Sequence, residues 1–198
     1  VFINCCFFTL FAKFAFSKST RKKESISSPV SLLICAKNEK QNLADNIPLW
    51  LDQDYPNFEI ILINDASNDE TLDVMEHFAK KDTRIQIVNV ENNEAFWGNK
   101  KYALTLGIKK AKNKILLFTD ADCRPASNNW IQKMTSNLSR DKKLVLGYGA
   151  YIKTPGFLNA LIRYETLLTA IQYFLYAKAG LPYMGVGRNL AYTSELFY

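Results

Sequence analysis

From residue 30 onward, short apolar runs alternate with amphipathic stretches. The runs cover 30–36, 58–64, 85–90, 115–119 and 144–148. Each is four to eight residues long, rich in Val, Ile, Leu and Phe, and bounded by polar or turn-forming residues, which predicts buried strands. Between them, 40–51, 69–81, 99–112 and 128–139 carry the three-to-four spacing of helices. Strands alternating with helices predict an α/β domain with a mainly parallel sheet flanked by helices. Phe157, Leu161, Tyr164, Leu168, Ile171 and Leu175 then recur at steps of four and three, so 157–181 reads as an amphipathic helix. Its charge-free core between Glu165 and Lys178 has only 12 residues, too short to span a bilayer. It either lies on a membrane surface or packs on its own domain.

The first 16 residues, VFINCCFFTLFAKFAF, form a second kind of apolar run, interrupted by Asn4 and Lys13. A full span needs about 20 such residues. With no initiator Met ahead of it, the run reads as part of a transmembrane helix, followed by a basic cytoplasmic linker over 17–29. A signal peptide fits less well, because the positive charges follow the apolar run. Three segments are therefore expected: 1–16, 17–29, and a domain over 30–198.

Composition narrows the class. The 198 residues are 48% apolar and 22% charged, ordinary for one globular domain. The net charge of +6 resembles a nucleic-acid signal until it is located. Lys13, Lys18, Arg21, Lys22 and Lys23 precede every acid. Without those five, 20 of the 25 basic residues face 19 acids, so the domain is nearly neutral and no nucleic-acid partner is expected. The four cysteines show no CxxC spacing, which argues against a zinc site or disulfide framework. The single histidine, His77, falls on a solvated helix face, which removes any His-based triad.

Three strand runs end in polar clusters: Lys37-Asn38-Glu39, Asp65-Ala66-Ser67 and Asp120-Ala121-Asp122. Ligands of open α/β sheets bind at the carboxyl ends of strands, so these clusters are expected to converge. The first cluster contains no glycine, which excludes a GxGxxG dinucleotide fingerprint, and no GxxxxGK[ST] loop occurs. A diphosphate would need another counter-charge. Asp120 and Asp122 at the end of a buried strand suit a hard divalent cation, Mg2+ or Mn2+, bridging carboxylate and phosphate. Asp65 is free for another task if Ser67 or Asp69 caps the next helix. Its carboxylate could accept the imide N–H of uracil or the ring N–H and amino group of guanine.

The stretches VSLLICAKNEKQNL (30–43), EIILINDASNDET (59–71), WGNKKYALTLGIKKAKNKILLFTDADC (97–123) and GVGRNLAYTSELF (185–197) together resemble the nucleotide-sugar-binding half of a family 2 glycosyltransferase of GT-A fold. The resemblance covers residues 29–198. It implies inverting, metal-dependent transfer from a UDP- or GDP-linked sugar to a lipid-linked or polysaccharide acceptor, at the cytoplasmic side of the cell membrane. It implies that Ala36 and Glu39 hold base and ribose, that Asp65 reads the base, and that Lys100 faces the nucleotide. Asp120 lies near the ribose and Asp122 is the metal ligand. Gly187, Arg188 and Asn189 match the region where donor sugar and acceptor meet. Asn64 stands where many members have a second acid. The family's general base is expected beyond Tyr198, and neither Glu165 nor Glu195 matches it, so the 198 residues are expected to bind donor but transfer poorly. Two rivals are a nucleotidyltransferase, which would carry a glycine-rich triphosphate loop, and a silent membrane-associated scaffold, which has no need of acids at three strand ends.

Overall fold

Strand β1 (Val30–Ala36) lies at the heart of the sheet, and every one of its residues is buried. It pairs in parallel with β2 (Phe58–Asp65) on one side and β4 (Ile115–Asp120) on the other, while β3 (Ile85–Val90) pairs in parallel with β2. Two antiparallel strands, β6 (Leu190–Thr193) and β5 (Leu144–Leu146), complete the order β3-β2-β1-β4-β6-β5. The computed structural model describes residues 28–91 and 100–198, together with positions 1, 5, 9 and 12. Apart from those four positions and residues 28 and 29, the expected apolar segment 1–16 and basic linker 17–29 lie outside the described residues. Among the described residues, no helix is long and apolar enough to cross a membrane.

Side chains alternate across the sheet with period two, as extended backbone requires. Leu32, Ile34, Ile60, Leu62 and Leu117 face one layer, where α1 (Lys40–Leu51), α2 (Thr71–Lys81) and α4 (Trp130–Thr135) contribute Leu43, Ile47, Trp50, Met75 and Ile131. Leu33, Cys35, Ile61, Ile63, Leu116 and Phe118 face the other, covered by Ala103 and Ile108 of α3 (Lys100–Lys110). Burying each large side chain stabilises the fold by about 1.5–3 kcal/mol. Helix α3 approaches β2 closely at Gly107, where a Cβ would stand 2.3 Å from the Ile63 Cδ1.

At the opposite end of the strands from their polar clusters, the buried Glu59 carboxylate accepts hydrogen bonds from the Ser31 hydroxyl (2.6 Å) and the Lys112 N–H (2.8 Å). These bonds fix the α3–β4 connection beneath β1 and β2. His77 is exposed on α2, as its sequence setting predicts.

Several boundaries differ from expectation. The helix expected over 128–139 is only six residues long, because Asn137 and Ser136 side chains donate to the Lys133 carbonyl at 2.7 and 3.1 Å and compete with continued helix. The strand expected over 144–148 stops at Leu146, where the Gly147 N–H turns to the Asn189 carbonyl at 2.8 Å. Strand β6 is too short and too polar to stand out as an apolar run; its pairing with β4 defines it.

By Cα connectivity the chain divides into two units. One spans Glu24–Gly147 and Gly187–Tyr198; the other includes Tyr148–Val186. The second is built on α5 (Phe157–Lys178), which begins after Gly156 at φ +120° and ends before Gly180 at φ +83°. Both glycines hold backbone angles that side-chain-bearing residues rarely adopt.

Candidate functional site

The order β2-β1-β4 places three polar strand ends side by side. Ala36 stands beside Asn64, and Cys35 beside Asp120. The three clusters therefore emerge from adjacent parallel strands at the edge where open α/β sheets bind ligands.

The first two loops are laced together. The Asn38 N–H donates to the Ser67 hydroxyl (3.0 Å), and the Asn68 N–H donates back to the Asn38 side-chain oxygen (2.8 Å). The Glu39 N–H donates to the Thr71 hydroxyl at 2.8 Å. Asn38 and Ala66 both hold left-handed backbone angles, φ +56° and +49°. Asn tolerates that region; for Ala it costs roughly 1 kcal/mol, which the cross-loop bonds sustain. The Glu39 carboxylate is steadied by the Asn42 amide at 2.6 Å.

Asp69 takes the local capping work, accepting from the Thr71 N–H and hydroxyl, and the Thr71 hydroxyl holds its carboxyl below the usual range. Asp65 is half-buried, and among the described residues its side chain accepts no hydrogen bond. Asn64 beside it is buried and committed: its amide donates to the Asn89 side chain (2.7 Å) and accepts from the Ser67 N–H (3.3 Å). The position expected to soften ligand contacts serves instead to brace the loop under Asp65.

Lys100, the first residue of α3, reaches across to β4, where its ammonium stands 2.7 Å from Asp120 Oδ1. Burial lowers the lysine pKa, but the hydrogen bond and charge of Asp120 outweigh it and leave the value above the ordinary one. The same pair borders a cavity of about 300 Å3 that also involves Cys35, Phe118, Gly187 and Tyr192. Phe118 and Tyr192 in its wall stack on each other with ring centroids 4.9 Å apart. Burial pushes the Cys35 thiol up to about 12; the charges of Asp65 and Asp120 add to this, and Lys100 and Lys37 oppose it. Those four charges surround one buried thiol, so the three strand ends share one electrostatic environment.

The Asp120-Ala121-Asp122 turn is closed by the Cys123 N–H bonding to the Asp120 carbonyl at 3.0 Å. It is tethered from below by Asn46 of α1, whose buried amide donates to the Ala121 carbonyl at 2.8 Å. Donor atoms of Asp120, Asp122 and Cys123 lie within 4.8 Å of one another. Burial, and then the charge of Asp122, push the Cys123 thiol up to about 12. A neutral thiol is a poor ligand for a hard cation, whereas two carboxylates with phosphate and water oxygens are the donors that Mg2+ or Mn2+ takes. The chemistry of the set therefore fits such a cation through oxygen, with Asp122 exposed and Asp120 already paired to Lys100.

Gly187, Arg188 and Asn189 form a single 3-10 turn that leads into β6. Asn189 is not turned outward as a ligand contact: its side-chain oxygen accepts from the Trp130 indole N–H at 3.0 Å. The turn is seated against Gly147, where a Cβ would lie 2.3 Å from the Asn189 amide carbon. Trp130 is held in turn by Gln53, whose side-chain oxygen accepts its backbone N–H at 3.0 Å. Glu195 pairs with Lys143 at 2.8 Å, and Glu165 is exposed on α5.

The structure thus brings Lys100, Asp120 and Gly187 around one cavity, with Asp122 at the next turn and Asp65 and Glu39 at the neighbouring strand ends. Trp97, Gly98 and Asn99 lie outside the described residues. Asn46, Gln53 and Trp130, which hold these elements, are absent from the sequence-based set. Asn46 had a usable signal: it is an amide on the helix face that also carries Leu43, Ile47 and Trp50.

The family model described as "Glycosyl transferase family 2" matches residues 31–185. A dolichyl N-acetyl-alpha-D-glucosaminyl phosphate 3-beta-D-2,3-diacetamido-2,3-dideoxy-beta-D-glucuronosyltransferase of Methanococcus voltae is 30% identical over 163 residues, covering 76% of this chain and 49% of that protein. An uncharacterised glycosyltransferase of Haemophilus influenzae is 33% identical over 124 residues, covering 63% of this chain and 36% of that one. The chain therefore spans half or less of the length of these relatives. Among solved structures, a mannosyltransferase of Pyrobaculum calidifontis in complex with GDP-Man and Mn2+ superposes with a TM-score of 0.73 at 18% identity, over 98% of this chain and 52% of that one. Such a likeness shows the fold, a GT-A arrangement of the mixed sheet.

Proposed function

The chain belongs to glycosyl transferase family 2, and from that premise we propose that it binds a nucleoside diphosphate sugar at its three strand ends and transfers the sugar, with inversion, to a lipid-linked or polysaccharide acceptor. The observation that carries this reading is the convergence of Asp65, Asp120 and Asp122 at the carboxyl ends of parallel strands, with Lys100 ion-paired to Asp120 at 2.7 Å. Three acids at one sheet edge would be costly without positive partners.

Asp65, whose side chain has no hydrogen-bond donor among the described residues, accepts from the nucleobase, and the Ala36 backbone and Glu39 flank base and ribose. Lys100 keeps Asp120 oriented and faces the phosphates. Asp122 and Asp120 are the residues that would hold a divalent cation, which when bound neutralises charge on the departing diphosphate. The 3-10 turn at Gly187–Asn189, pinned by Trp130, forms the wall where sugar and acceptor meet. Glu195 is committed to Lys143 and is assigned no part in deprotonating the acceptor. The relatives' names support the substrate class: the Methanococcus voltae protein is named for a dolichyl-linked acceptor, and the Pyrobaculum calidifontis structure holds GDP-Man and Mn2+. We place the domain, which follows the apolar segment 1–16 in sequence, on the cytoplasmic side of the cell membrane.

Thermal unfolding with UDP, GDP, CMP and ADP, each with and without Mn2+, tests the donor reading. A ligand at a hundred times its Kd stabilises by about 2.7 kcal/mol. Each kcal/mol raises the midpoint of a domain this size by roughly 2–4 °C. One nucleotide should raise it only with Mn2+, and the Asp122→Ala variant should lose the response. A folded chain that answers to none of the four defeats the reading.

A further inference from the structure

Among the described residues, eighteen large apolar or aromatic side chains are more than a third exposed, and twelve of them fall within 148–184. They are not scattered. Phe157, Leu161, Tyr164 and Leu168 follow one another at steps of four, three and four on one face of α5, with exposures of 84, 42, 62 and 37%. The stripe runs about 16 Å along the helix. Farther along the same seam Leu175 is buried, and Ala170 and Tyr173, also buried, lie on the opposite side of the helix. The exposed apolar stripe is therefore confined to the first half of α5.

A contiguous apolar face of this kind marks a docking surface. Its occupant is indicated by charge. Residues 148–186 carry Lys153, Arg163 and Lys178 against the single acid Glu165, so the apolar stripe is flanked by net positive charge. Leucines and aromatics on one side, with cations beside them, are the composition of a helix lying in a bilayer interface. Tyrosine is also favoured at headgroup depth. Arg163 and Glu165 break the apolar run within about two turns of the helix start, and no described helix is long and apolar enough to cross. We infer that the Phe157–Leu161–Tyr164–Leu168 face of α5 is a peripheral docking surface for an anionic lipid bilayer, on which the helix lies parallel to the membrane. The inference deepens the membrane placement proposed above.

The experiment uses the full chain with vesicles of phosphatidylcholine containing about a quarter phosphatidylglycerol, against phosphatidylcholine alone. The Tyr164→Trp variant reports depth. With brominated acyl chains in the lipid, the emission that this substitution adds over the wild type should be quenched. Leu161→Asp combined with Leu168→Asp should weaken binding to the anionic vesicles by about tenfold or more while leaving the nucleotide response intact. A bound Tyr164→Trp chain whose added emission is not quenched overturns the inference, because attachment then runs through another segment. Absence of binding to anionic vesicles overturns it too, as does a dimer that the paired substitutions dissociate. Should the double variant fail to fold, the quenching result decides alone. Quenching without any nucleotide response would sink the glycosyltransferase reading and leave the membrane face standing.

Discussion

The Lys100 ammonium and the Asp120 carboxylate meet at 2.7 Å across the cleft between α3 and β4, although 20 residues separate them in sequence. The pair is more than a third exposed on both sides, so its worth to folding is small, below about 1 kcal/mol. Its value lies in position. It sets a fixed positive charge at the same strand end as Asp122, where a diphosphate needs counter-charge.

Lys100→Met should therefore leave the unfolding midpoint of the free chain within a few degrees and sharply reduce the nucleotide-induced shift. Lys100→Arg should recover part of it. The raised lysine pKa fixes the pH behaviour. A group whose folded value lies above its unfolded one contributes fully below the unfolded value and loses its contribution only as pH rises through the folded value, here above 10.5. Nucleotide binding measured from about pH 6 to 9 should show no step from Lys100; a step that disappears in Lys100→Met would contradict this.

Gly147 is required by its neighbour. A Cβ there would stand 2.3 Å from the Asn189 amide carbon. Gly147→Ala should destabilise the chain by about 1–3 kcal/mol, the usual cost of overpacking. It should also release the Trp130 indole from Asn189. Adding Asn189→Ala makes room and should recover most of the lost midpoint. If the double variant is no more stable than Gly147→Ala, the clash is not the cause.

The two described cysteines of the site should be slow nucleophiles. Both thiols are pushed up to about 12, so at neutral pH their thiolate fraction is lower than that of an ordinary cysteine by on the order of a hundredfold or more. For Cys123 the causes after burial are the charge and hydrogen bond of Asp122. Alkylation with iodoacetamide followed by peptide mass spectrometry should show Cys123 reacting far more slowly than exposed Cys5, and Asp122→Asn should speed it. Equal rates at Cys5 and Cys123 would contradict this.

The α/β pattern was legible because apolar runs such as Leu32–Leu33–Ile34 are buried on both faces, and full burial leaves an unmistakable continuous signature. The acids at the strand ends were legible for the same reason, since a polar residue directly after such a run marks its end. Strand β6 was not, because LAYT is half-buried and short and owes its extended form to pairing with β4. The bracing residues were harder still. Asn64, Gln53 and Trp130 act through bonds to partners 25 to 77 positions away, and no local spacing encodes such a bond. Asn189 shares its run with residues expected to meet the ligand, yet its side chain is spent on Trp130.

Asn46 makes the last test, because it separates folding from function. Its amide is 6% exposed on a helix face otherwise given to Leu43, Ile47 and Trp50, and it donates to the Ala121 carbonyl at 2.8 Å, in the middle of the Asp120–Asp122 turn. Asn46→Leu keeps the side chain's branching at Cγ and adds apolar burial, but it leaves the Ala121 carbonyl without that donor. The gain from apolar burial and the cost of an orphaned carbonyl are each about 1–3 kcal/mol and of opposite sign, so the unfolding midpoint should barely move. The turn that carries Asp122, however, loses its tether. Titration of Mn2+ together with the nucleotide found to stabilise the wild type should show weaker binding in Asn46→Leu, by about tenfold for each 1.4 kcal/mol of lost positioning. Asn46→Asp, which cannot donate in its charged form, should weaken both stability and binding. If Asn46→Leu binds as tightly as the wild type, the carboxylates hold their arrangement without this bond and the turn is positioned by the strand alone.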